Sequence, residues 1–105
     1  MLVRQMFLKI APERINEVKE LYRKEIIPTL RKVKGCTDAR FLVPTVNTDE
    51  FIAFSEWKTK ADVDLYENGP VYKELRNKVT AFTTKEPVLK VYTFEKVGEL
   101  IPEMH

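Results

Sequence analysis

With 105 residues, 44% of them apolar, the chain has material for one domain with its own core and none for a second. Its 18 Lys and Arg against 16 Asp and Glu give a formal net charge of +2. Opposite charges are interleaved, as at Lys19–Glu20 and Lys73–Glu74, so there is no basic stripe of the kind that binds nucleic acid.

No apolar run comes near the roughly 20 residues of a membrane-spanning helix, so no membrane partner is expected. The opening Met1–Leu2–Val3–Arg4–Gln5 lacks the basic start, apolar middle and cleavage site of a signal peptide. A single cysteine, Cys36, has no internal disulfide partner, which agrees with a reducing compartment. The expected location is the cytoplasm.

Leu2 to Ile10 alternates. Leu2, Met6, Leu8 and Ile10 share one face with Arg4, while Val3 and Phe7 share the other with Gln5, which predicts a strand apolar on both sides. Pro12 suits the first position of a helix, where its missing N–H is not needed. Ile15, Val18, Tyr22, Ile26, Leu30 and Val33 then recur three or four apart. Pro28 lacks the donor for the Lys24 carbonyl, so a kink, or a break and a short last turn, is expected there. Gly35 is expected to close the helix.

Cys36 to Val43 alternates again, Pro44 to Asp49 reads as a turn, and Glu50 to Trp57 makes the returning strand of a hairpin. Thr59–Lys60–Ala61–Asp62 has the form of a capping box, opening a short helix that carries Val63 and Tyr66 and ends at Asn68–Gly69. Pro70 begins another helix, with Val71, Leu75, Val79 and Phe82 on one stripe. Val88 to Glu95 is a last strand of strong β formers. Residues 97–105 follow no period and read as a C-terminal tail to a domain over 1–96. The order β-α-β-β-α-β, its second helical unit split in two, predicts an α+β, ferredoxin-like split sheet with helices on one face.

The strands are apolar on both sides. Phe51, Ala53 and Trp57 oppose Ile52 and Phe54, and Val88, Tyr92 and Phe94 oppose Leu89 and Val91. A face without helices then needs other cover, and a second copy of the same sheet is the economical one. A homodimer is therefore expected, in preference to a monomer with scattered exposed apolar side chains.

Phe54–Ser55–Glu56–Trp57–Lys58–Thr59–Lys60–Ala61–Asp62, then Tyr66, then Gly69–Pro70–Val71–Tyr72, resembles the antibiotic biosynthesis monooxygenase family of dimeric α/β barrels. So does Ile27–Pro28–Thr29–Leu30–Arg31 leading into Gly35–Cys36. The resemblance in layout runs from Leu2 to Glu95. It implies a dimeric α/β barrel built from two ferredoxin-like protomers, with assembly beyond the dimer left open. It also implies a cofactor-independent monooxygenase acting on a small aromatic or quinol-like compound, with no metal or flavin. The family's haem-degrading branch places an asparagine on the first strand, with a tryptophan and a histidine on the later helices. Met6, Leu65 or Tyr66, and Arg76 occupy those places here, which argues against haem degradation by that mechanism. The alternative is a non-catalytic dimeric module of the same fold that binds a small hydrophobic ligand or serves a stress-related role.

The only histidine is His105, which removes a Ser-His-Asp triad, a Cys-His pair and a Cys/His metal cluster. Three scattered glycines make no phosphate loop, and no cofactor is expected. The chemistry left is aromatic and cationic: Trp57, Tyr66, Tyr72 and Arg76 are the candidate pocket residues for a planar, partly anionic phenol. Against this, Trp57 and Tyr66 also read as core aromatics, and Tyr72 and Arg76 as an exposed helix flank. Ala39, Ala53 and Ser55, small residues among Phe41, Phe51 and Trp57, leave either a cavity or room for helix side chains. Asp38, Arg40 and Glu56, on the opposite face, are expected to form an intersubunit ion pair. Cys36 reads as a small buried hydrophobe.

Overall fold

The computed structural model describes residues 1–94. The expected tail, 97–105, and the end of the predicted last strand lie outside the described residues. β1 (Leu2–Leu8), β2 (Cys36–Leu42), β3 (Phe51–Trp57) and β4 (Val88–Thr93) form one sheet in the order β2-β3-β1-β4. All three pairings are antiparallel. This is the ferredoxin-like split arrangement expected from the alternation of periods.

Register follows from the alternation. Leu2 pairs with Trp57, Met6 with Ala53 and Leu8 with Phe51, so the inward sets of β1 and β3 coincide. Ala39 lies opposite Ser55 and Phe41 opposite Ala53. Helices cover this face. The fully buried Trp57, Leu8 and Val18 anchor a core that continues through Tyr22, Ile26, Val63 and Leu75.

The first helical unit differs from expectation at Pro28. A 3-10 turn over Pro12–Arg14 leads into α1 (Ile15–Leu21), a π-helical segment (Tyr22–Ile26) and α2 (Ile27–Leu30), with no break between them. The Ile27 N–H bonds the Tyr22 carbonyl five residues back. That shift places Pro28 in the first turn of α2, where a missing donor costs nothing. The π segment takes up the proline without a break.

Gly35 also has a different role. The helix ends at Leu30, and the Lys32 and Val33 N–H groups bond the Thr29 and Leu30 carbonyls in tightening turns. Gly35 lies beyond them with φ 88°, and its carbonyl accepts from the Lys58 N–H at 2.9 Å. A Cβ there would run into the Asp62 side chain. Only glycine suits both the left-handed backbone and the close approach of the following helix.

The capping box is formed. Thr59 Oγ1 accepts from the Asp62 N–H at 3.1 Å and opens α3 (Lys60–Glu67). Asn68 Nδ2 donates to the Asp64 carbonyl at its end, and Pro70 starts α4 (Pro70–Thr80) after Gly69. No described helix is long and apolar enough to cross a membrane.

On the sheet face away from the helices, Leu42, Val88 and Tyr92 are exposed and Phe7, Ile52 and Phe54 half-buried. Charges on this face pair within the chain. Arg40 Nε donates to Asp38 Oδ2 at 2.7 Å, since residues two apart on a strand share a face. A bulge between Cys36 and Asp38 brings the Thr37 hydroxyl to Glu56, at 3.0 Å. Cys36 is half-buried, its thiol donating to the Asp38 carbonyl.

Gly35→Ala combines a positive φ with a steric conflict at Asp62. It is expected to cost about 2 kcal/mol or more, read as a lower urea midpoint at unchanged slope.

Candidate functional site

One charged side chain lies on the inward face of β1. Arg4 stands between Leu2 and Met6, opposite Ser55 on β3 and Val91 on β4, and is only 5% exposed. A guanidinium cannot be buried there without compensation. Arg4 Nε donates to Glu67 Oε2, at the end of α3, at 2.9 Å. The guanidinium carbon lies 5.3 Å from the Tyr66 ring centroid and 5.2 Å from that of Tyr72. Both are cation–π distances. Its Nη2 is buried without a hydrogen-bond partner.

The aromatic side chains form a series from core to surface. The Trp57 indole N–H donates to Ser55 Oγ at 2.8 Å, fixing the ring at the end of β3. Trp57 stacks on Tyr66 at 4.8 Å, and Tyr66 meets Tyr72 edge-on at 5.2 Å. The Thr59 cap sets the phase of α3 so that Val63 and Tyr66 turn inward, and the Asn68–Gly69–Pro70 corner returns the chain so that Tyr72 meets Tyr66. An added Cβ at Gly69 would press on the Leu65 carbonyl at 3.1 Å, so glycine keeps this corner tight.

Arg4, Ala53 and Ser55 on the sheet side and Tyr66, Tyr72 and Arg76 on the helix side enclose a cavity of about 40 Å³. Tyr22 and Ile26 of the π segment close its far wall, together with Leu75 and Val79. The volume is close to that of a single water, about 30 Å³, so no ring fits the cavity in this conformation. Tyr22 is held by stacking on Phe41 at 4.0 Å. Arg76, 38% exposed at its side chain, reaches out to Glu86 at 3.4 Å.

Of the residues singled out in the sequence, Tyr66, Tyr72 and Arg76 meet in this cavity. Trp57 does not line it and stands fully buried behind Tyr66. Ala53 and Ser55 line it, whereas Ala39 is buried in the core, its carbonyl accepting from Arg31. Arg4 and Tyr22 were not among the expected pocket residues. The signal for Arg4 was the lone cation on an apolar strand face; the periodic placing of Tyr22 made it look like any core residue.

Burial pushes the Tyr66 phenol up to about 12, with Arg4 drawing it down and Tyr72 adding to the rise. Burial raises the Tyr22 phenol as well. Both stay protonated near neutral pH, which makes neither a base there. No carboxylate and no histidine is among the lining residues. Among the described residues no three His, Cys, Asp or Glu side chains converge to hold a metal. Larger depressions of about 500 and 600 Å³ lie beside the β2–β3 turn, without an aromatic cluster around a buried cation.

The sequence matches the family model of antibiotic biosynthesis monooxygenases over residues 1–78. A search of curated proteins finds no match. Among solved structures, one of an antibiotic biosynthesis monooxygenase superposes with a TM-score of 0.76 at 22% identity, covering 90% of this chain and 99% of the other. A conserved protein of Methanosarcina mazei Go1 gives 0.75 at 23% identity, with 90% and 94% covered. A Nitrosomonas europaea protein assigned provisionally to the same monooxygenases gives 0.77 at 16% identity, with 90% and 98% covered. Identities of this size show a shared fold.

Ser55→Ala leaves the buried Trp57 N–H without an acceptor. The expected loss is about 1–3 kcal/mol, read as a lower melting temperature by circular dichroism.

Proposed function

The chain belongs to the antibiotic biosynthesis monooxygenase family, and on that premise we propose that its cavity binds a small aromatic or quinol-like molecule for cofactor-independent monooxygenation. The observation that carries this reading is a buried arginine among tyrosine rings in a cavity whose other lining is mostly apolar, with Ser55 and Arg76 added. Planar rings favour a planar ligand, and the guanidinium favours an ionised oxygen on it.

In the proposed reaction the substrate supplies the electrons. A phenol loses its proton to solvent, and its anion is held beside Arg4. The anion passes one electron to dioxygen, and the two radicals join through a new C–O bond at a ring carbon. Cleavage of the O–O bond, with loss of the hydrogen on that carbon, releases water and leaves a quinone. Phenol and dioxygen become quinone and water, so no external reductant is consumed. The protein's part is to stack and orient the ring, exclude water and stabilise the anion. The lack of a base among the lining residues favours a second reading, binding without turnover.

Incubation with naphthols and quinols under ¹⁸O₂, with a chelator present, separates the two. Monooxygenation puts one labelled atom into the product and one into water, and Ala53→Leu, which fills the cavity, abolishes it. A ligand-induced rise in melting temperature without oxygen uptake would establish the binding module instead.

We infer in addition that the bare sheet face joins two copies, as the family resemblance implies, and that the protein works as a homodimer. Light scattering behind a sizing column is expected to give about twice 12.3 kDa. Phe54→Glu, which puts a charge at the centre of that face, is expected to give a folded monomer.

A further inference from the structure

We propose that Arg4 is the charge selector of the cavity: its free Nη2 takes one ionised oxygen of the ligand, a phenolate or enolate, and Tyr72 is the wall that moves to admit it. This rests on the cavity being a ligand site but not on any oxidation there.

An arginine offers five donors in a rigid fork. Glu67 occupies Nε at 2.9 Å, so the Nε–Nη2 edge that a carboxylate grips with both oxygens is closed. Nη2 is left buried and unpaired on a side chain only 6% exposed. A buried donor without an acceptor is a standing cost, and a ligand oxygen placed against it removes that cost.

A cavity of about 40 Å³ has no room for a ring, and Nη2 does not reach solvent, so a wall has to move. Tyr22 is stacked on Phe41, and Tyr66 is clamped between Trp57 and the guanidinium. Tyr72 is half-buried, held by an edge contact to Tyr66 and by Arg4 itself. A ligand ring that replaces the Tyr72 ring over the guanidinium restores the cation–π contact and brings its oxygen to Nη2. Glu67 is a positioning residue, since it fixes the fork and cancels part of its charge.

The test uses 4-nitrophenol, whose coloured anion reports its own ionisation, with 4-nitroanisole as the neutral analogue. The protein is titrated with each, and the bound nitrophenol is followed across pH. The phenolate is expected to bind about tenfold or more tightly than the anisole, and the bound phenol to ionise about one unit lower than when free. Arg4→Gln abolishes the preference and the shift. Glu67→Gln, which keeps an acceptor for Nε but removes the charge, enlarges the shift, which a merely structural role would not do. Tyr72→Ala speeds association in stopped flow and retains the shift. If Arg4→Gln does not fold, Glu67→Gln decides, with an unchanged shift counting against the proposal.

Equal binding of phenolate and anisole, or a shift that survives Arg4→Gln, overturns the proposal and leaves the cavity as a ligand site. No binding of any probe overturns both. A shift without oxygen uptake from naphthols upholds the proposal and removes the monooxygenase reading.

Discussion

A guanidinium on the inward face of the first strand sets the terms for the layer above it. Burial of an unpaired cation in an apolar core is prohibitive, and the compensation comes from one region of the chain. Glu67 at the end of α3 supplies the counter-charge, and Tyr66 and Tyr72 supply two ring faces. Those three residues lie within six positions of one another, on either side of the Asn68–Gly69–Pro70 corner. The capping threonine, the tight glycine and the proline start of α4 are therefore part of the same device. Each fixes the phase or direction of a helix so that a side chain reaches Arg4.

The same constraint accounts for the small residues on β3. A long side chain at position 53 or 55 would occupy the space next to the guanidinium. Ser55 also gives the Trp57 indole its acceptor, so the strand keeps the indole in place while leaving its neighbour room. Trp57 then acts on the cavity at one remove, as the platform under Tyr66. The π-helical segment closes the opposite wall with Tyr22 and Ile26. A device that accommodates Pro28 in the backbone thus also shapes the cavity.

Much of this was legible in the sequence because it follows from local rules. Alternation gave the strands and the two inward sets, and the capping box and Gly-Pro start gave α3 and α4. Chemistry confined to short spacing was visible too, which is why Tyr66, Tyr72 and Arg76 were singled out. Other features depend on contacts between distant residues. The need for glycine at position 35 comes from Asp62, 27 positions on, and a helix stop was the nearest local explanation. The pairing of Asp38 with Arg40 depends on rotamers rather than on pattern, so the sequence alone does not give it. The π segment leaves the apolar spacing almost unchanged, so the period could not distinguish it from a kink. Arg4 was seen on its face, but its importance lies in what α3 and α4 bring to it.

A site with a buried cation, protonated tyrosines and no base among its lining residues is limited in the chemistry it can promote. It is poorly equipped to abstract a proton from a weak acid, and its charge favours ligands that ionise readily by themselves. Of those, the ligands whose oxyanion stays electron-rich also reduce dioxygen. The absence of a base, which by itself counts against catalysis, is therefore compatible with a reaction in which the ligand's own acidity and reducing power do the chemistry. What such a reaction asks of the protein is a shaped, dry, positively charged space, and those are properties that the Arg4 burial imposes on this fold for reasons of packing alone. The distinction between an enzyme and a binding module of this kind then lies chiefly in the ligand, and in whether the small cavity widens far enough to admit dioxygen with it.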